Sequence, residues 1–203
     1  VQDGFWRLDC EEGEEWNFAY VLPQHEGEPV RLIVPTSLQM GWVESPGYFC
    51  AASETGRDVA QDYAMTPVGT LPSHKFIELT RGSDEYNKLP RNSNESDMRF
   101  LIEVFVDDYI SLAIPTSQEQ LDHVGNSVMM GMHEVFPPSA DASKDPISHK
   151  KLKKFDGRWK LRKDLLGFHF EGVEKTMCLE PDKREDLLTT IHGWLRGAHD
   201  SRG

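Results

Sequence analysis

The sequence predicts an α+β fold. Its segments read in the order strand, helix, hairpin, helix, strand, which is the order of a split βαβ (ferredoxin-like) core with part of its first strand missing. Three observations carry this. Phe49, Ala52, Gly56, Val59, Ala60 and Tyr63 fall at helical spacing after Ser45-Pro46. The run FLIEVFVDDYISLA at 100–113 is β-branched and aromatic on both sides of Asp107-Asp108. Leu121, Val124, Val128, Met129, Met132, Val135 and Phe136 then form a second amphipathic stripe, stopped by Pro137-Pro138.

Each element has a local reason. Residues 5–34 read as strands broken by turns, with an acidic cluster (Asp9, Glu11, Glu12, Glu14, Glu15) between Trp6 and Trp16 as a solvated turn. Val30 to Val34 is a strand candidate that ends at Pro35. Ser45 is a good helix N-cap, and Pro46 suits the first helical position. Residues 66–97 are rich in Gly, Pro, Ser and Asn and read as a surface excursion, mobile near 87–97, with a short strand around 76–79. Thr116 and Glu119 have capping-box spacing before the second helix, whose methionines read as core packing. Residues 140–146 form a polar connector. A basic segment follows at 150–163, then a strand at 165–170, a returning partner at 173–179, and a last helix from Pro181 with Leu187, Leu188, Ile191, Trp194 and Leu195 on its apolar side and Gly197 as its stop.

Composition bounds the function. The 203 residues can bury a real core as one large domain or two small ones. A net charge of −12 excludes a uniformly basic nucleic-acid binder but leaves room for a local basic patch. That patch exists: Lys150, Lys151, Lys153, Lys154, Arg158, Lys160, Arg162 and Lys163 are eight of the chain's 22 basic residues, with only Asp156 among them. It can hold phosphate or duplex backbone, or be a solvated basic loop. No run of about 18 apolar residues exists to cross a membrane, and no basic-then-apolar leader opens the chain. Cys10, Cys50 and Cys178 are far apart, without finger spacing, so structural zinc is not expected. Reduced thiols fit an intracellular location, in cytoplasm or nucleus.

The candidate chemistry centres on Asp107 and Asp108. Two adjacent carboxylates after a buried strand need water, a cation or hydrogen-bond donors. Successive strand residues point to opposite faces, so the two would divide into a principal and an auxiliary metal ligand. Magnesium suits carboxylate and phosphate oxygens, and a metal pair can clamp both oxygens of phosphoryl transfer. A solvated turn is the plain alternative. His169 reads as a packed histidine.

The blocks VQDGFWRL, LQMGWVESPGYF, EVFVDDYI and LLGFHF, in this order, resemble the palm of reverse transcriptases, especially those of retroelements. Gly41, Ser45 and Pro46 match the family's Gly-x-x-x-Ser-Pro block. Phe105, Val106, Asp107 and Asp108 match its aromatic-x-Asp-Asp block, and Leu166, Gly167 and Phe168 match the apolar-Leu-Gly strand that grips the primer end. The resemblance covers most of the chain except 66–97 and the last helix. It implies RNA-directed DNA polymerase (nucleotidyltransferase) chemistry: deoxynucleotides added to a primer 3′-hydroxyl on an RNA or DNA template, with Mg2+ or Mn2+ held by Asp107 and Asp108. Residues 1–136 would be partial fingers and palm, and 137–203 the basic segment, primer-grip strands and the start of a thumb or connection.

The first block is incomplete. Placing Asp3, Gly4 and Phe5 on its last three positions puts its opening aspartate immediately before Val1. The chain therefore reads as an N-terminally truncated fragment that by itself binds metal poorly and polymerises little or nothing. In the same register Asp3 and Gly4 belong to the triphosphate turn. Phe5 is either a sugar gate that crowds a ribose 2′-hydroxyl or a core aromatic. Met40 and Gly41 would lie beside the incoming nucleotide, although Met40 and Trp42 depart from the residues usual at their positions. Lys153 or, by preference, Lys154 fits the family's general-acid lysine by spacing, and an insertion would shift the role to Lys160. Lys150, Lys151, Lys153 and Lys160 would bind nucleic acid. Two other readings stand beside this one: a non-catalytic reverse-transcriptase-like module that binds nucleic acid or protein, and an unrelated acidic metal-binding domain.

Overall fold

Pro46 pre-sets the backbone for a first helical turn, and α1 (Ser45–Ala64) begins there. Ser45 does not cap it. Its buried hydroxyl instead donates to Gln39 O at 2.8 Å, tying the helix start to the preceding turn. The buried positions of α1 are Ser45, Phe49, Ser53, Gly56, Ala60 and Ala64, so the stripe runs through Ser53 and Ala64 where Ala52 and Tyr63 were expected. Small residues win those places because α1 lies close against a second helix. The computed structural model describes residues 1–93 and 98–200, with side chains through 196.

That second helix is the Gln118–Val135 stretch. With the short Asp84–Lys88 helix taken as α2, it is α3. Its cap is Ser117, one residue later than expected: the Ser117 hydroxyl accepts from Gln120 N–H, while the Gln120 side chain accepts from Thr116 N–H at 2.7 Å. Phe136, which precedes Pro137, is extended and ends the helix. A Cβ on Gly131 would lie 2.6 Å from both Ala60 N and Gly56 O, so the absence of a side chain there sets the approach of α3 to α1. Phe49, Phe76, Ile77, Met129, Met132, Phe136 and Ile147 form the core around this crossing, and the methionines pack as expected.

Residues 5–34 differ from the strand-rich reading. Gly4–Arg7 and Glu15–Phe18 are 3-10 turns; β1 (Tyr20–Val21) pairs with β2 (Leu32–Ile33), and Asp9 makes an isolated bridge to Ser37. Residues 76–79 are not a strand either. Ile77–Thr80 is a 3-10 turn whose Ile77 side chain is seated over Gly125 of α3, where a Cβ would come within 3.0 Å of Ile77 Cδ1. Part of the expected excursion, 94–97, lies outside the described residues.

The hairpin forms as read: β3 (Arg99–Phe105) and β4 (Asp108–Ile114) pair antiparallel with Phe105 opposite Asp108. Ile102 is fully buried toward α1, while Leu101, Phe105, Leu112 and Ile114 face outward. Among the described residues no other strand joins this pair. The sheets are β1-β2, β3-β4 and a three-stranded β5-β6-β7, so the architecture is α+β with small separate antiparallel sheets.

The chain divides into two units, Val1–Gly82 with Asn87–Arg158, and Ser83–Tyr86 with Trp159–Gly203. The first contains α4 (His149–Lys153) as well as the elements above other than α2. The second contains β5 (Arg162–Leu165), β6 (Phe168–Glu171), β7 (Thr176–Leu179) and α5 (Pro181–Asp200). The single strand expected at 165–170 is therefore a hairpin corner, with Leu166 and Gly167 as its two-residue loop at φ 52 and 84. Gly197 does not stop α5, which continues to Asp200. Among the described residues no helix is long and apolar enough to cross a membrane.

Candidate phosphoryl-transfer site

The aspartates stand at a tight turn. Val106 and Asp107 form the two-residue loop between β3 and β4, and Asp108 is the first residue of β4. Val106 has φ 56, the left-handed region that a β-branched residue avoids. Such strain persists only where the surroundings over-determine it, and it concentrates at functional sites. Two anchors hold this turn against α1. Tyr109 Oη donates to Ser53 O at 2.7 Å, and burial pushes its phenol up to about 12, so it stays a neutral donor. Gln61 Nε2 donates to Ile102 O at 2.8 Å. Tyr109 thus points into the protein from β4 while its neighbour Asp108 stays half exposed.

Two further groups reach the turn. The Val1 nitrogen donates to the Asp107 backbone carbonyl. Lys151 Nζ of α4 lies 3.0 Å from Asp108 Oδ1. The hydrogen bond to Asp108 raises the Lys151 pKa above its ordinary value. Lys151, assigned by sequence to nucleic acid, is therefore the lysine beside the carboxylates. Lys154 lies exposed at the end of α4, as do Lys150 and Lys153 within it. Nothing in the spacing of a lysine-rich segment could have singled out Lys151.

The N-terminal turn is also placed. Asp3, exposed with φ 56, opens the Gly4–Arg7 turn. Gly4 passes over Phe49 so closely that a Cβ would lie 2.8 Å from the ring. Phe5 is half-buried, its ring 5.3 Å from that of Phe49 at 60°. Met40 and Gly41 are the central residues of a turn closed by Trp42 N–H on Gln39 O at 3.3 Å, and Gly41 takes φ 99 there. Met40 is 77% exposed. Val1, the aspartate turn and Lys151 are thus brought together, while Gly4 and Phe5 pack on Phe49. Leu166, Gly167, Phe168 and Lys160 belong to the second unit.

The donor set suits magnesium in kind, since both groups are hard carboxylate oxygens. It is incomplete in number: among the described residues no three His, Cys, Asp or Glu side chains gather to hold a metal ion. Asp107 and Asp108 by themselves do not complete a cation site.

Comparisons with protein-family models, curated proteins and solved structures return no match for this chain.

Proposed function

We propose that the chain is the palm portion of a retroelement reverse transcriptase, built on a split βαβ core. The observation that supports this most is the meeting of the first block with the third. The Val1 nitrogen lies on the carbonyl of Asp107, so a residue joined to it enters beside the two carboxylates, where the resemblance puts the block's opening aspartate. Asp107 and Asp108 would then hold Mg2+ or Mn2+ together with that residue. When bound, the metal supplies charge neutralisation at the attacking and leaving oxygens. The Asp3–Gly4 turn receives the triphosphate. Phe5, braced on Phe49, closes the space beside the sugar's 2′ carbon. Lys151 is placed to compensate charge at the carboxylates, and the exposed Lys150, Lys153 and Lys154 face solvent where nucleic-acid backbone can approach.

Primer extension tests the reading. A longer chain that supplies the residues before Val1 should extend a DNA primer on RNA with Mg2+, while the 203-residue chain extends little or nothing. Asp107→Asn or Asp108→Asn in the longer chain should lower extension by about a thousandfold or more. Phe5→Val should admit ribonucleotides. No extension by the longer chain sinks the catalytic reading. One observation favours the non-catalytic module instead: Asp108 is already paired with a lysine. Metal-independent binding of a primer duplex, without extension, would be its signature.

A further inference from the structure

The first unit contains a buried polar chain that the proposed reaction does not use. Phe76 N–H donates to His74 Nδ1 at 3.2 Å. That nitrogen is an acceptor, so the His74 proton sits on Nε2. His74 Nε2 lies 3.0 Å from His133 Nδ1, which must then accept. The His133 proton therefore sits on Nε2, which donates to Asp145 Oδ1 at 2.9 Å. The same carboxylate receives Ile147 N–H at 3.0 Å and Lys75 Nζ at 2.7 Å. Asp145 is 0% exposed. The direction of every bond is thus fixed, from Phe76 through both imidazoles to the carboxylate, and both rings are neutral.

A second proton has nowhere to go without breaking the chain. On His74 it must occupy Nδ1, facing the Phe76 N–H. On His133 it must occupy Nδ1, facing the His74 Nε2–H. Either places two donors head to head.

The loop that carries Asp145 is the seat of the N-terminal segment. Pro146 O accepts from Gln2 N at 2.7 Å, Lys144 O accepts from Arg7 Nη2 at 2.8 Å, and Ser143 O accepts from the Gln2 side chain. Val1, next to Gln2, reaches Asp107. We propose that the His74–His133–Asp145 chain is a proton-sensitive latch: with both rings neutral it fixes loop 143–146 and so seats residues 1–7, with Val1 on the Asp107 carbonyl, and protonation of either ring releases them. Asp145 is in this sense a positioning residue. The inference rests on hydrogen-bond direction and holds whether or not the site transfers nucleotides.

The groups that face the latch set its working range. Burial, the neighbouring His133 and Lys75 all oppose charging of His74, while Asp145 favours it, and together they lower His74 to about 4. His149 of α4 stacks on Phe76 at 5.3 Å, and Asn126 of α3 accepts from His74 N–H at 2.9 Å.

Nitrogen-15 NMR of the full chain between pH 7.5 and 3.5 tests this. At neutral pH both rings should report the Nε2–H tautomer. On acidification the Gln2 and Ile147 amides should lose about tenfold or more of their exchange protection together with His74 titration, while Ile102 and Val124 keep theirs. In the double variant His74→Gln, His133→Gln this step should vanish. An Nδ1–H tautomer at either ring, opening of Ile102 and Val124 in the same step, or an unchanged step in the double variant overturns the proposal. Should the double variant not fold, the wild-type tautomers and amides decide it alone.

Discussion

Helices α3 and α5 are of similar length, 18 and 20 residues, and both carry apolar residues at helical spacing. Their surroundings differ. Leu121, Val124, Met129 and Met132 of α3 are buried, whereas Leu187, Leu188, Ile191, Trp194 and Leu195 of α5 are all exposed, Trp194 by 72%. The glycines tell them apart. Gly131 of α3 faces Gly56 and Ala60 of α1 at backbone distance, while a Cβ on Gly193 of α5 would meet nothing within 4 Å. An apolar stripe states which face can be buried. Small residues on two stripes state where two backbones can meet. The aspartate turn is built on the helix that has such a partner, through Tyr109 on Ser53 and Gln61 on Ile102.

The strongest way to break this comparison is a methyl-bearing side chain at the crossing. In Gly131→Val the Cβ would meet the Ala60 nitrogen and the Gly56 carbonyl, both backbone atoms that cannot rotate away. Overpacking of this kind, with loss of helix contact, should cost at least about 3 kcal/mol. Thermal unfolding followed by circular dichroism should shift down by roughly 10 °C. Gly193→Ala, the matched change on α5, should instead stabilise its helix by about 1 kcal/mol through propensity alone. A Gly131→Val protein that melts with the parent would show that the glycine does not set the helix approach.

Acid comes next in size, and it acts on the same packed region. An unfolded histidine titrates near 6.5, whereas His74 in the fold titrates at about 4. The unfolded chain takes the proton first, so stability is complete above about pH 6.5 and is lost as pH falls toward 4. The loss approaches on the order of 3 kcal/mol. Asp145 extends it to lower pH. Burial pushes its carboxyl up, but hydrogen bonds from Lys75, His133 and Ile147 outweigh that and hold it at about 2, below the ordinary 3.8. Urea unfolding at pH 7 and pH 4 should show the difference, and the His74→Gln, His133→Gln variant should show a smaller one. Equal pH slopes in the two proteins would remove His74 from the account.

Much of the region around the turn was legible in the sequence because local chemistry decides it. The hairpin and its Asp107-Asp108 corner follow from β-branched flanks, and the Pro46 and Pro137 boundaries follow from ring sterics. Elements decided by tertiary packing were not legible. Ile77 is drawn onto Gly125, which makes 77–80 a 3-10 turn where a strand pattern was read. Leu166 at φ 52 gives no residue-type signal of a turn, so a hairpin looked like one strand. The latch was invisible for the same reason. His74 lies 59 residues before His133 and Asp145 12 after it, and no motif spacing joins the three.

The smallest expected effect on stability separates the two lysine assignments. Lys151 and Asp108 are 59% and 47% exposed in their side chains, so their ion pair is screened by water and is worth at most about 0.5 kcal/mol. Lys151→Met should therefore leave unfolding by urea nearly unchanged. Its effect should appear at the carboxylates instead. An ammonium 3.0 Å from Asp108 Oδ1 repels a divalent cation that uses the same oxygen. Removing it should tighten Mn2+ binding severalfold, read as paramagnetic broadening of the Asp107 and Asp108 amides at lower metal concentration. Lys154→Met, which alters an exposed lysine at the end of α4, should not change that titration. Weaker Mn2+ binding by Lys151→Met would mean that the lysine holds Asp108 in its metal-binding pose and does not compete for it, and a response only in Lys154→Met would return the role to the lysine chosen by spacing.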